Sequence, residues 1–144
     1  ECAAYQRKFE LCKSDIERIK VEFLKYQKEC KFSFSLNQYP DEFDFSLIES
    51  NGWYAAKNHG DNINGVSRDH MYSIKDGFIN RVDPKIISHP ANCRLILQRE
   101  NASKHSSSCI TLDELMRRIE YWDAKYGKIS EGLVRTAQEP KSNK

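Results

Sequence analysis

The chain has 144 residues, enough for one hydrophobic core or for a small core with an appended helix. Charged residues make up 31% and hydrophobic residues 39%, which is ordinary for a globular domain. The net charge of +2 permits nucleic-acid binding without requiring it. No apolar run approaches the roughly 20 residues that a membrane helix needs, and no signal-peptide pattern is present. We therefore expect an intracellular protein that does not span a membrane.

The five cysteines are Cys2, Cys12, Cys30, Cys93 and Cys109. None of them forms a C-x-x-C pair, so the sequence contains neither a zinc-ribbon nor a thioredoxin-type motif. An odd count without clustering favours reduced thiols in an intracellular protein.

Residues 2–30 contain no glycine or proline and predict one long helix. Apolar and cysteine side chains recur at alternating steps of three and four, the heptad pattern of a coiled-coil seam. The seam consists of Cys2, Tyr5, Phe9, Cys12, Ile16, Ile19, Phe23, Tyr26 and Cys30. Two interpretations stay open: the helix packs on its own domain, or it contacts a second copy or a partner helix. Additional apolar residues at Leu11, Val21 and Leu24 favour packing near its C-terminal half.

The next part of the chain predicts a strand and a helix. Residues 31–36 alternate in polarity, which is typical of a short strand. Pro40, followed by two acids, predicts the start of a helix, and Gly52 predicts its end. Trp53 and Tyr54 are expected to be core or rim aromatics.

Two strands and a helix are predicted in the middle of the chain. Residues 66–73 and 93–98 have strand-like patterns, and residues 99–106 predict the beginning of a helix. The stretch 74–90 between the strands is expected to be irregular, because one glycine and two prolines interrupt it. Residues 55–64 are polar and predict a loop.

A capping box from Thr111 to Glu114 predicts the start of the last helix, which should end near Gly127. Four apolar side chains of this helix are expected to face inward: Leu112, Leu115, Ile119 and Trp122. The polar residues 138–144 predict a frayed tail.

Four polar side chains on the central elements suit a hydrated metal site. Asp69 and His70 are adjacent in the first strand, whereas Asn101 and Lys104 lie on adjacent turns of the helix. The oxygens of Asp69 and Asn101 are ligands that suit Mg²⁺, for which Mn²⁺ can substitute. Neutral His70 is able to accept a proton near physiological pH. Lys104 supplies a cation for a phosphate.

The order Asp-His, Asn, Asn-x-x-Lys on strand, loop, strand and helix resembles the HNH, or ββα-metal, nuclease family. The segments YPDEFDFSLIESNGWY, NGVSRDHMYSIKDGF and IISHPANCRLIL are similar to HNH proteins of bacteriophages and large viruses, including homing-type enzymes. Asparagine replaces the last histidine of the family name, a common variant. The cysteine pairs that bind zinc in many members are absent, so no structural zinc is expected.

The resemblance implies a divalent-metal-dependent DNA endonuclease. His70 would be the general base, and Asp69 and Asn101 would hold a single metal that bridges a phosphate oxygen and the 3′ leaving oxygen. The products would carry a 5′-phosphate and a 3′-hydroxyl. Asn92 is implied to act in catalysis as a scaffold that keeps His70 in position. The stretch 74–89 is longer than in compact members of the family.

The predicted partner is DNA, bound through basic side chains around the motif. These side chains are Lys104, Arg68, Arg94, Arg99 and His105. His89, next to Pro90 and near Cys93, is interpreted as a structural histidine in a turn rather than as a zinc ligand.

The predicted fold is α+β, a ββα-metal core with flanking helices. It divides into an N-terminal amphipathic helix at 1–30, a nuclease domain at 31–137 and a tail at 138–144. The alternative function is a non-catalytic nucleic-acid-binding or assembly module with a nuclease-like shell. In that case the heptad helix would hold a partner.

Overall fold

The computed structural model describes residues 2–56, 60–104 and 106–128. In these ranges six α-helices surround one two-stranded antiparallel sheet, so the predicted α+β class is confirmed. Within the same ranges, no helix is long and apolar enough to cross a membrane. The tail predicted at 138–144 lies outside the described residues.

The N-terminal helix α1 spans Cys2–Glu29, as predicted. Its C-terminal end packs on the domain. Tyr26 and Cys30 are buried in the main core, and the Tyr26 hydroxyl donates a hydrogen bond to the carbonyl of Val82 at 2.7 Å. The ring of Phe23 meets the ring of Phe78 edge to face, with centroids 5.1 Å apart. The last part of the heptad seam is therefore covered by the chain's own core.

Before Phe23, two apolar side chains of the seam are open to solvent. Ile16 and Ile19 of the seam are 54% and 51% exposed. Val21 and Leu24, expected to broaden the buried stripe, are exposed as well. These two residues do not widen the buried stripe, because they lie on a different face of the helix from Phe23 and Tyr26. The expected packing near the C-terminal half of the helix is confirmed.

Residues 31–36 do not form the predicted strand and pair with no other strand in the described chain. The alternation reflects side-chain burial instead, since Phe34 and Leu36 are both buried. A 3-10 helix follows at Leu36–Gln38, and the hydroxyl of Ser35 caps it by accepting from the backbone of Asn37 at 3.3 Å.

The helix expected from Pro40 to Gly52 is divided in two. A 3-10 turn at Pro40–Glu42 precedes helix α2 at Ser46–Asn51. At the beginning of α2, the carboxylate of Asp44 accepts a hydrogen bond from the backbone N–H of Ser46 at 3.0 Å. The helix therefore begins at Ser46 and does not continue from the 3-10 turn. Gly52 ends α2 with a φ of 68°, where glycine is favoured, as predicted.

The segment after α2 runs beside the first strand. Tyr54 donates its backbone N–H to the carbonyl of Val66 at 2.8 Å, and Val66 donates to the carbonyl of Gly52 at 2.8 Å. Trp53 and Tyr54 are exposed, so they are rim aromatics rather than core residues.

The sheet pairs β1 (Val66–His70) with β2 (Cys93–Leu97) in antiparallel register, from Val66 opposite Leu97 to His70 opposite Cys93. Helix α5 (Gln98–Lys104) follows β2 directly and contacts both strands. This is the predicted order of strand, strand and helix, with each strand somewhat shorter than expected.

The stretch 74–90, expected to be irregular, contains helices α3 (Ile74–Ile79) and α4 (Pro84–Ile87). The side chain of Ser73 accepts from the backbone of the third residue of α3. The carboxylate of Asp83 caps α4, whose first residue is a proline. Short capped helices tolerate a proline in the first turn, which is why these breakers do not disrupt them.

Helix α6 (Leu112–Tyr126) begins at the predicted capping box, where Thr111 and Glu114 exchange hydrogen bonds, and ends at Gly127. Three of its expected inward residues are buried: Leu115, Ile119 and Trp122. The fourth, Leu112, is half-buried and packs against the same core.

Gly77 lets α3 approach α1 and α4 closely. A Cβ at this position would lie 2.5 Å from the hydroxyl oxygen of Tyr26 and 2.8 Å from a side-chain carbon of Ile87. Replacing an exposed helical glycine by alanine normally stabilises a protein by about 0.5–1 kcal/mol. For Gly77→Ala we expect the reverse, a loss of about 1–3 kcal/mol from overpacking, measured by urea unfolding.

Lys75→Ala, at an exposed position of the same helix, serves as the control and should change the free energy of unfolding by less than about 0.5 kcal/mol. A Gly77→Ala protein more stable than the parent would contradict the close packing of α3.

Candidate active site

The structure gathers the predicted motif residues into one cleft of about 210 Å³. Strand β1 supplies Asp69 and His70, and α5 supplies Asn101 and Lys104. Other lining residues come from α1, β1, α3 and the segment after α5: Phe23, Gln27, Arg68, Ser73, Ile74, Lys75 and Ser106. Residues from distant parts of the chain meet here because α5 packs across the strand that carries the Asp-His pair.

Asp69 is an ion-paired carboxylate with only 3% of its surface exposed. Its Oδ2 accepts from Nε of Arg94 at 2.8 Å. Arg94 stands directly opposite it in the β1–β2 register. Its Oδ1 lies 3.2 Å from Nζ of Lys104. Two cations thus offset the cost of burying the negative charge.

His70 is held as a neutral imidazole in one tautomer. Its Nε2 lies 2.8 Å from the backbone oxygen of Cys30 at the end of α1. Because a carbonyl oxygen only accepts hydrogen bonds, Nε2 carries the hydrogen and Nδ1 keeps its lone pair. Burial lowers the pKa of His70 below its ordinary value, and the ring of Phe32 stacks on the imidazole at 4.0 Å. Nδ1 is therefore the proton acceptor that this side chain offers.

Asn101 and Lys104 present their polar groups differently. Asn101 donates through Nδ2 to the hydroxyl of Ser67 at 3.2 Å, which leaves Oδ1 as the atom of this side chain that can accept or coordinate. The side chain of Lys104 is only 12% exposed. Besides the carboxylate of Asp69, its Nζ contacts the backbone oxygen of His70 at 3.3 Å. Lys104 thus forms an ion pair with Asp69. The contact with a substrate phosphate that the sequence predicted for Lys104 stays a prediction.

Asn92 is fully buried and does not line the cleft. Its Oδ1 accepts from the backbone N–H of Tyr72 at 2.8 Å, and its Nδ2 donates to the carbonyls of Tyr72 at 3.0 Å and Ile87 at 2.9 Å. Its own carbonyl accepts from the N–H of Met71 at 2.9 Å. The side chain ties the end of β1 to the residues before β2, so Asn92 is a positioning residue.

The other predicted DNA-binding residues differ in accessibility. Arg68 lines the cleft, donates to the carbonyl of Phe34 at 2.8 Å and lies over its ring. Arg94 donates a hydrogen bond to the carboxylate of Asp69. Arg99, in the first turn of α5, is exposed, and His105 lies outside the described residues.

His89 has a structural role, as interpreted from the sequence. Its Nδ1 accepts from the backbone N–H of Ala91 at 2.9 Å. Its Nε2 lies 3.3 Å from a carboxylate oxygen of Asp123. Both ring nitrogens are thereby engaged in hydrogen bonds within the fold.

Within the described ranges, no group of three or more His, Cys, Asp or Glu side chains is arranged to hold a metal. The metal ligands predicted from the sequence are one carboxylate and one amide, so they are not a group of this kind. Cys30, Cys93 and Cys109 are free thiols in this part of the chain. Burial raises the pKa of Cys93 to about 12, which makes this thiol a packing group rather than a nucleophile.

Several groups of the site were missed by the sequence argument. The carbonyl of Cys30 and the ring of Phe32 fix His70, yet nothing in the heptad seam or in the alternating aromatics indicates that role. Ser67 orients the amide of Asn101. Its place on the same strand as Asp69 was the available signal, since residues two apart share a face.

Comparisons with protein-family models, with curated proteins and with solved structures find no match for this chain. The relation to HNH nucleases therefore stays a proposal.

The two buried histidines predict a pH-dependent stability. Burial lowers the pKa of both His70 and His89, so the unfolded chain takes up protons first as the pH falls below about 6.5. We expect the free energy of unfolding to decrease as the pH falls from about 6.5 to 5. It should be nearly constant between about pH 7 and 8, above which the buried thiols of Cys30 and Cys93, whose pKa values are raised, add a separate loss. Urea unfolding at a series of pH values measures this dependence of the free energy of unfolding on pH.

His89→Gln is the informative variant. It should be less stable than the parent at neutral pH but show a shallower loss on acidification, because one of the two titrating groups is gone. Stability that rises between about pH 7 and 5.5 in the parent would show that these histidines are not held neutral.

Proposed function

We propose that this chain is a divalent-metal-dependent DNA endonuclease of the HNH type, built on a ββα-metal core. It would hydrolyse phosphodiester bonds and leave a 5′-phosphate and a 3′-hydroxyl. The observation that carries the proposal is the cleft in which Asp69 and His70 from β1 lie with Asn101 and Lys104 from α5. An acid, a neutral imidazole, an amide oxygen and an ammonium group are the parts that this chemistry requires.

The donor set fits a hard divalent cation. Asp69 offers a charged oxygen, and Asn101 is oriented by Ser67 so that its Oδ1 is the free amide atom. With only two protein ligands, several coordination positions of the metal would be filled by water, as Mg²⁺ prefers. Mn²⁺ can substitute for Mg²⁺ in such a site. When bound, such a metal would polarise a phosphate oxygen and stabilise charge on the leaving oxygen.

The proton acceptor would be Nδ1 of His70. A water deprotonated at this atom becomes the nucleophile, and the imidazolium that forms keeps its Nε2–H on the carbonyl of Cys30. The ring therefore does not need to reorient between the two protonation states. DNA phosphates would be bound by cations around the cleft, with Arg99 exposed and Arg68 at the wall.

The substitution His70→Gln tests the general base. Glutamine retains an N–H group for the carbonyl of Cys30 but lacks a basic ring nitrogen. We expect Mg²⁺-dependent cleavage of plasmid DNA to fall by at least about 100-fold. Unfolding by urea and DNA binding should change little.

His89→Gln makes the same chemical change at a histidine that does not line the cleft, and under conditions where it is folded it should cleave like the parent. Parent-like cleavage by His70→Gln would show that His70 is not the base. A chelator should abolish cleavage by the parent protein.

The second candidate function is non-catalytic nucleic-acid binding or assembly, with a nuclease-like shell. The favouring observation is that both carboxylate oxygens of Asp69 already have cationic partners, Arg94 and Lys104. A pure binder would show salt-dependent DNA binding without cut products, whether Mg²⁺, Mn²⁺ or a chelator is present.

Self-association, or docking of a partner helix, through residues 2–30 is a separate proposal. It is supported by the exposure of the seam residues Ile16 and Ile19. For self-association we expect a concentration-dependent oligomer in sedimentation experiments at tens of micromolar. Ile16→Lys should shift it to monomer, because a charge in the seam opposes packing.

Ser14→Lys adds the same charge at an exposed position of α1 outside the seam and should leave the oligomer intact. A parent protein that is strictly monomeric in this range would end the self-association proposal.

A further inference from the structure

The two carboxylate oxygens of Asp69 have partners of different kinds. Oδ2 is bound by Arg94, whose backbone is paired directly opposite Asp69 in the sheet. Oδ1 is bound by Lys104, the last residue of α5. The first partner is fixed by strand register, whereas the second reaches the carboxylate from a helix end.

The chemistry of the two cations differs as well. Arginine binds carboxylates with a planar, directional group, so Arg94 is suited to hold Oδ2 permanently. The ammonium group of Lys104 is a compact point charge on a flexible four-carbon stem. It is therefore the partner of Asp69 that another cation displaces more easily.

Lys104 lies where a metal would have to bind. Asp69 has Oδ1 for a metal because Oδ2 is held by Arg94, and Asn101 lines the same cleft from the same helix as Lys104. Two positive charges on one oxygen repel each other strongly where water screens them little, and the side chains of Lys104 and Asp69 are only 12% and 4% exposed. A metal that binds Oδ1 must consequently move the ammonium group away.

We propose that Lys104 is a built-in competitor of the divalent metal for Oδ1 of Asp69, and that metal binding releases its ammonium group towards a phosphate in the cleft. This inference rests on the proposed metal site. The metal and a phosphate group then favour each other's binding, because each removes the other's competitor, and such coupling is reciprocal. Lys104 would bind phosphate more tightly once the metal has entered, and the metal would bind more tightly once a phosphate holds Lys104.

Mn²⁺ binding, followed by electron paramagnetic resonance without DNA, tests the competition. Lys104→Met keeps the apolar stem and removes the charge, and it should bind Mn²⁺ roughly tenfold more tightly than the parent, within the usual range of coupling. Lys75→Met removes the same charge from an exposed lysine on α3 in the same cleft. Its gain in affinity should be much smaller. Asn101→Ala should weaken binding and thereby locate the ion.

The outcomes separate the inference from the proposed function. Equal affinity in the parent and in Lys104→Met, with weaker binding in Asn101→Ala, would overturn the competition and leave the metal site standing. Equal gains in Lys104→Met and Lys75→Met would reduce the effect to net charge and also overturn it. No Mn²⁺ binding that depends on Asn101 would overturn the metal site and the inference together.

Nuclear magnetic resonance of the lysine ammonium groups tests the release in the parent protein itself. The ¹⁵N signal of Lys104, assigned by its loss in Lys104→Met, should shift or broaden as Mg²⁺ is added, while the signal of Lys75 stays nearly constant. An unchanged Lys104 signal at a Mg²⁺ concentration that saturates the site would overturn the release.

Discussion

The hydrogen bonds of buried Asn92 hold together the two chain segments on which the site depends. Asn92 stands directly before the second strand. Its side chain forms hydrogen bonds with the backbone of Tyr72, just beyond β1, and with the carbonyl of Ile87 in α4. This arrangement closes the helical stretch between the strands and supports the pairing of His70 with Cys93. The same register places Arg94 opposite Asp69. Since α5 starts where β2 ends, the register also determines where Asn101 and Lys104 lie.

The N-terminal helix is a part of the site as well as an appendage of the domain. Its end brings the carbonyl of Cys30 to His70 and, directly after it, the ring of Phe32. Carbonyls at the end of a helix have no partner within the helix and carry a partial negative charge. One of them here fixes the tautomer of the imidazole. A rearrangement of α1, for instance by a partner bound along its exposed part, would therefore reach the proposed base directly.

The sequence predicted those helices and strands whose pattern lies within the element itself. The heptad seam marked α1, the Thr111 capping box marked α6, and two strand-like patterns marked β1 and β2. The errors came from patterns with more than one physical cause. Alternation at residues 31–36 arises from burial without strand pairing. The breakers within 74–90 lie in or between short capped helices, whose caps at Ser73 and Asp83 are visible in the sequence.

The candidate site was predictable as a set of residues but not as a set of contacts. The order of the Asp-His pair and the Asn-x-x-Lys pattern, through its resemblance to HNH nucleases, predicted that Asp69 and His70 would lie with Asn101 and Lys104. The partners that hold these side chains in place come from elsewhere in the fold, since the carbonyl of Cys30 and the guanidinium of Arg94 belong to no motif. Their roles depend on the helix end and the strand register, which only the three-dimensional arrangement provides.

The most direct test of the central claim is a crystal structure of the protein soaked with Mn²⁺, with the ion located by its anomalous scattering. We expect one peak in the cleft within about 2.5 Å of Oδ1 of Asp69 and of Oδ1 of Asn101. A cleft without a peak at saturating Mn²⁺, or an ion bound only at other residues, would contradict the metal site and with it the proposed nuclease chemistry.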